Sequence, residues 1–367
     1  MIKDAIIALA LWSFSVSATD HEAQLAQHSQ AYADAMALHN YTSALVNAQK
    51  AHFIAKHHMK LKEDDLFPYL HRYAIAALKF KEKSALSLLQ EVLNLHKENS
   101  SYSDDIHGRL LILAASEARQ RGRPKKAYEF LDKAKKLAVA NHSEAQTLGA
   151  LIDLEFSYLH FEKGDIARAA RFIDQAYTVL TDGRSEISPL QLAYAELLQG
   201  DIHLRQQNWA QAIPHFETAY NIYKTDSLNF TKLNGEHNVT AAYILKRLVA
   251  AYHNQGDTAG AEAAALEFAY TRYWEAGYLI YNPTEKIPFW LSESLSAKKE
   301  KQAAGYIASY EMTAAGRRKN IEIHIAKNIS AKEVQLQFEQ SYYVPKLENG
   351  KPVTGRGCEE CQFHVRY

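Results

Sequence analysis

Cys358 and Cys361, separated by two glutamates near the end of a 367-residue chain, are its two cysteines and the residues with the widest chemical repertoire. A Cys-x-x-Cys pair can cycle between dithiol and disulfide, contribute half of a tetrahedral zinc site, or staple a loop. A zinc site needs two more ligands, and His364 supplies at most one of them. No thioredoxin-type βαβ pattern surrounds the pair, which argues against a redox catalyst. For an exported chain the expectation is a local disulfide that staples the loop before the last strand, with free thiols, metal binding and redox chemistry as the alternatives.

The other residues able to do chemistry do not converge. Seventeen histidines are scattered along the chain, most densely at His52, His57 and His58. Two imidazoles that share a metal on one helix stand four residues apart. His52 and His57 are five apart and His57 and His58 are adjacent, so no metal site is expected. Asp64-Asp65 and Asp104-Asp105 are adjacent carboxylates, which diverge rather than act as an acid/base pair. Phosphate-binding, dinucleotide-binding, nucleophile-elbow and zinc-protease motifs are all missing. No cofactor, no catalytic residue and no small-molecule substrate are expected. With 42 basic and 42 acidic residues the net charge is zero, which gives no support for nucleic-acid binding.

The elements that must position these residues are mostly helical. Gly and Pro number only 15 and 8, which suits long helices. A short pattern recurs: a polar turn, an alanine, a large apolar residue, and a second small or apolar residue seven after the first. Its first alanines are Ala44, Ala85, Ala127, Ala169, Ala212 and Ala261, at spacings of 41, 42, 42, 43 and 49. Residues i and i+7 share a helix face, and small side chains there let a neighbouring helix approach closely. An amphipathic stretch precedes each copy, with turns expected near 40, 82, 123, 165, 208 and 257. About six helical hairpins over residues 24–280 should therefore stack and bury a continuous core.

The units resemble the tetratricopeptide (TPR) family. Gly200, Trp209, Ala212, Phe216 and Ala219 stand at that family's spacings, as do Gly164-Asp165, Ala169 and Ala176. The period exceeds the family's usual one, and the proline that commonly ends a unit is missing. The resemblance implies a concave groove for protein partners, and the groove positions carried over are Arg119, Tyr158, Asp201, Arg205, Lys246 and His253.

The pattern then changes. Residues 281–297, with Pro283 and Pro288, read as a linker. Tyr306, Ala308, Tyr310 and Met312 alternate, then Ile321, Ile323 and Ile325, predicting a hairpin turned at Ala314-Ala315-Gly316. Ser330 and Glu333 form a capping-box pattern before a helix carrying Val334 and Phe338. A polar connection over 346–361 leads to a last strand, Gln362–Tyr367, with Phe363, Val365 and Tyr367 on one face. The fold class is thus α+β: a TPR-type helical solenoid followed by a small β-β-α-β domain over 298–367.

That domain resembles the C-terminal domain of TonB-family energy transducers. The resemblance is carried by Tyr342-Tyr343-Val344-Pro345, then Asn349-Gly350-Lys351-Pro352-Val353, then the aromatic last strand. It implies that an edge strand, Gln362, Phe363, His364, Val365, Arg366 and Tyr367, pairs with an extended segment of a protein partner such as a TonB-dependent outer-membrane receptor. The family's inner-membrane anchor and proline-rich spacer are not recognisable, so the array reads as the spacer. The alternative is a TPR scaffold or assembly factor that acts through its groove without energy transduction.

At the start of the chain Lys3, an apolar run from Ala5 to Val16, and Val16-Ser17-Ala18 read as a cleaved export signal over 1–18. The run is about 12 residues, short of the roughly 20 that span a bilayer. A periplasmic protein is expected, with an uncleaved anchor as the alternative.

Overall fold

The computed structural model describes residues 18–98, 103–140, 145–182, 187–226, 239–271, 278–283, 303–327 and 330–364. The expected export signal lies, apart from Ala18, outside the described residues. Among the described residues no helix is long and apolar enough to cross a membrane.

Among the described residues twelve helices precede the sheet region. They are α1 (Ala18–Ala37), α2 (Tyr41–Phe53), α3 (Glu63–Lys79), α4 (Ala85–Glu98), α5 (Asp104–Gln120), α6 (Pro124–Ala140), α7 (Ala145–Glu162), α8 (Ile166–Thr181), α9 (Pro189–Arg205), α10 (Trp209–Asp226), α11 (Val239–Gln255) and α12 (Thr258–Tyr270). A π-helical turn, Ile54–His58, follows α2. Consecutive odd and even helices form six hairpins, and no strand occurs among the described residues of 30–275.

One backbone device closes every hairpin. A residue in the left-handed region stands at His39, Lys81, Gly122, Gly164, Gln207 and Gly256. The next amide reaches back five residues in each copy: Asn40 to Ala35 and Glu82 to Ala77 at 2.8 Å, Arg123 to Ala118 at 2.8 Å, Asp165 to His160, Asn208 to His203 and Asp257 to Tyr252 at 2.9 Å. This is the Schellman closure, which satisfies carbonyls that a helix end leaves without partners. Asn40, Asp165 and Asp257 then cap the following helix through their side chains. Each turn falls one residue before the position expected from the alanine series.

The alanine series marks where the paired helices touch. Ala44, Ala85, Ala127, Ala169, Ala212 and Ala261 are all fully buried at 0 % exposure. In the fifth hairpin Gly200 allows the same approach from the other helix: a Cβ there would lie 2.5 Å from the Phe216 ring. Among the described residues one cluster of buried apolar side chains runs from Phe67 to Leu159 and another from Leu204 to Val344. By internal contacts the chain divides into Met1–Glu186 and Ile187–Tyr367.

The second unit holds the last two hairpins together with the sheet region. The sheet region contains β1 (Leu279–Tyr281), β2 (Ala303–Met312), β3 (Arg318–Lys327), α13 (Ala331–Gln340), β4 (Tyr342–Tyr343), β5 (Lys346–Glu348), β6 (Lys351–Val353) and β7 (Gly355–His364). The expected linker start at 281 falls inside β1, which pairs antiparallel with β4. Residues 284–297 lie outside the described residues. The last strand begins at Gly355 rather than Gln362, because most of the expected polar connection is itself extended: β5 and β6 form a small hairpin and β7 pairs with β2 from Met312↔Gly355 to Ala303↔His364.

The larger sheet has the order β3-β2-β7. The β2–β3 hairpin and α13 enclose Ala308, Val334 and Phe338 with Tyr310, Ile321 and Ile323 packed against them. The capping box is present in both directions at 3.1 Å between Ser330 and Glu333. Gly316 ties this sheet to β4: its φ is +73°, its carbonyl accepts the Tyr343 amide at 2.9 Å, and a Cβ there would meet the Tyr343 oxygen at 2.1 Å.

Candidate interaction surfaces

The groove positions carried over from the TPR resemblance are largely committed to the array's own stability. In the first unit the Arg119 guanidinium on α5 lies 3.1 Å from Glu155 on α7 and 2.5 Å from Glu162, and it covers the Tyr158 ring at 4.7 Å. The side chains of Arg119 and Glu155 are only 6 % and 8 % exposed. Burial pushes the Glu155 carboxyl up, opposed by the Arg119 charge. Truncating one member of such a buried pair costs about 3–5 kcal/mol, because the other charge is left without compensation.

The second unit repeats this arrangement with the signs exchanged. Asp201 on α9 accepts from Arg247 on α11. Burial raises the Asp201 carboxyl, while Arg247 and Arg205 act to lower it. Arg205 is exposed and remains a candidate contact. Lys246 is 1 % exposed, with its Nζ 4.9 Å from the Tyr278 ring centre, so it belongs to the core and not to a groove wall.

His253, on α11, meets β1 and β4. The Tyr342 hydroxyl is 3.3 Å from its Nδ1, and the Tyr281 ring centre is 5.5 Å from its own. The neighbouring Asn254 donates to the Tyr281 hydroxyl at 2.8 Å. Tyr342 is 0 % and Val344 2 % exposed, within the same cluster as Leu248, Val249 and Phe268. Arg317 adds a further tie, covering the Tyr342 ring at 4.3 Å and lying 3.7 Å from Glu262 on α12. The β1–β4 ribbon therefore seals the last hairpin's apolar face, and His253 is covered by the protein's own residues. Next to it Arg318, 3 % exposed, sits among the rings of Tyr343, Tyr310 and Phe338 at 3.8, 3.9 and 4.3 Å.

Sequence reasoning missed Glu155, Arg247 and Tyr342 as the groups that occupy these positions. Arg119 and Glu155 are 36 residues apart and His253 and Tyr342 are 89 apart, so no local spacing could announce either meeting.

The edge-strand expectation divides. Gln362, Phe363 and His364 lie in β7, whereas Val365, Arg366 and Tyr367 lie outside the described residues. β7 is an outer strand of its sheet, and among the described residues no strand pairs with its second side. The strand register opposes the local disulfide. Cys358 stands opposite Ser309 and Cys361 opposite Tyr306 in an uninterrupted antiparallel ladder. Three residues of extended chain span roughly 10 Å. A disulfide joins Cα atoms up to about 7 Å apart. Odd separation also puts the two positions on opposite faces of the strand.

No protein-family model matches the chain, and no curated protein matches it. Among solved structures it is similar to BtubC from P. vanneervenii, at 19% identity over 77% of this chain and 99% of that one, with a TM-score of 0.45. It is also similar to PilW, described as a widely conserved type IV pilus biogenesis factor, at 14% identity over 68% of this chain and 95% of that one, with a TM-score of 0.44. A third is PilF of Pseudomonas aeruginosa, at 14% identity over 68% and 92%, with a TM-score of 0.41. Likeness of this degree leaves the fold to rest on the six closures and buried alanines described above.

Proposed function

We propose that the protein is a non-enzymatic interaction scaffold, a TPR-type array that holds a small sheet module at a fixed place for a protein partner. The observation that supports this most directly is the way β1 and β4 are built into the last hairpin while β7 remains at the edge of its sheet. A module anchored in this way is displayed by the array, not tethered loosely to it. The buried pairs Arg119–Glu155 and Asp201–Arg247 favour this division of labour, since they stiffen the array and leave less of the groove for a partner.

The finer reading is that β7 receives an extended segment of the partner by strand addition, as in the TonB-type domains the sequence resembles. Such a partner would be an outer-membrane receptor and the protein would act in the periplasm. The arrangement β2–β3, α13, β7, with β7 outermost, is the feature that favours it. Successive amides in a strand point to opposite sides, and proline removes the donor it replaces. Of Glu359→Pro and Glu360→Pro, one should disrupt the pairing with β2 and one should strike only the open side. We expect the variant that keeps the wild-type melting temperature to lose capture of the partner from an envelope extract. Full capture by that variant would move the site to the array, where Arg205→Glu is the next test.

A further inference from the structure

The fold brings together two imidazoles that the sequence keeps far apart. His21 on α1 stacks on His58 at the end of the π-helical turn, with ring centres 4.4 Å apart and planes within 10°. Phe53 lies edge-on to His58 at 5.4 Å. α1 packs on α2 and on this turn. Among the described residues its buried apolar side chains are Leu25 and Ala35, with Tyr32 and Met36 partly buried against the same surface. Beneath it lie Ala44, Ala48, Ala51, Ile54 and Ala55, an almost entirely apolar strip.

We propose that the stacked His21–His58 pair makes α1 an acid-releasable cover over α2, closed while the imidazoles are neutral and lifted when both carry charge. Two stacked parallel rings attract when at least one is neutral, and two cations at this distance repel. Against that repulsion α1 sets Leu25 and Ala35, with Tyr32 and Met36 partly buried. The other polar tie, His28 Nδ1 to Asn47 Oδ1 at 3.0 Å, survives protonation, because a charged ring still donates to an amide oxygen.

The charged and titratable groups nearest the pair in sequence are Asp20 and Glu22 on α1, Lys56 and His57 in the turn, Lys60 and Lys62 after it, and Glu63, Asp64 and Asp65 at the start of α3, with Lys50 and His52 on α2 and His28 and Asp34 farther along α1. Lys56 is already engaged by Glu91 at 3.1 Å, so it adds positive charge near the pair only in part. His52 and His71 pack on Tyr73 and Phe67 of α3, where burial keeps both below the usual imidazole range, with Lys56 and Arg72 adding to it.

The test is hydrogen exchange on the full chain at about pH 7.5 and about pH 5.0, corrected for intrinsic rates. Amides of 20–37 should lose protection about tenfold or more at the lower pH, ahead of the hairpins that follow. The double substitution His21→Phe/His58→Phe keeps the stacked rings without the charge and should hold that protection. The single His21→Phe places an aromatic ring against a cation at low pH, so acid should tighten α1 in that variant. Protection of 20–37 that does not change with pH overturns the proposal, and so does acid release that persists in the double variant or in the single one.

Discussion

The first and last hairpins have the same closure and different covers. Both end their first helix with a left-handed residue, His39 or Gly256, and an amide that reaches back five residues. In the first, α1 lies over α2 with Leu25 and Ala35 as its buried apolar anchors among the described residues. In the last, α11 and α12 are sealed by a β-ribbon whose Tyr342, Val344, Ile280 and Tyr281 all enter the core. Local sequence thus sets how a hairpin turns, while what lies on it decides how firmly it is held. A cover held by Leu25, Ala35 and a pair of stacked imidazoles is the one proposed to lift. A cover built from a buried tyrosine, ring-stacked arginine and backbone hydrogen bonds fixes a module in place.

The largest effect should come from breaking the firm cover. Tyr342 is fully buried and meets both His253 and Arg317. Tyr342→Ala should cost about 3–5 kcal/mol, the range for truncating a large aromatic side chain in a core. For a unit of this size that is roughly 10 °C in melting temperature. A fall of a degree or two would mean that the ribbon does not seal the hairpin. The same variant should lose partner capture even with β7 unaltered, since the module would no longer be displayed.

Breaking the weak cover should do less, and do it locally. Leu25→Ala should cost about 2 kcal/mol, the low end for a buried leucine at a site free to collapse. On the proposal that α1 opens on its own, hydrogen exchange over 20–37 should rise while the main melting transition stays put. A cooperative fall of the whole melt would show that α1 is part of a larger folding unit than its contacts suggest.

The contrast also explains what could be read from the sequence. The hairpins were legible because each buries an alanine at one recurring position, and such a signal is local and periodic. Gly122, Gly164 and Gly256 marked three turns openly, whereas His39, Lys81 and Gln207 adopt the same conformation without a glycine to announce it. The capping box at Ser330 and the alternation of β2 and β3 were legible for the same local reason. Tertiary commitments were not. Arg119 looks like a groove residue until Glu155 is folded against it, and Lys246 looks solvated until α11 turns it inward. The extent of β7 was hidden because Gly355–Cys361 is polar and glycine-containing, with little β propensity of its own, and is held extended by ten residues of pairing with β2.

The smallest effect expected concerns His253, the one carried-over groove position that the ribbon covers. Burial lowers its affinity for a proton below that of a free imidazole, and the Arg317 charge lowers it further. A histidine depressed in this way contributes stability that is complete above its ordinary range, near pH 6.5, and is lost as pH falls through the folded value. His253 is partly exposed, so solvent screens much of that contribution. His253→Phe keeps a ring against Tyr281 and Tyr342 and removes the charge. Near pH 7.5 it should melt within on the order of 1 °C of wild type, the loss of one weak hydrogen bond offset by apolar packing. Near pH 5 it should melt slightly above wild type, because only wild type must bury or expel a cation beneath the ribbon. A variant that melts below wild type by the same margin at both pH values would show that the Tyr342 hydrogen bond, and not the protonation of His253, is what the last hairpin depends on.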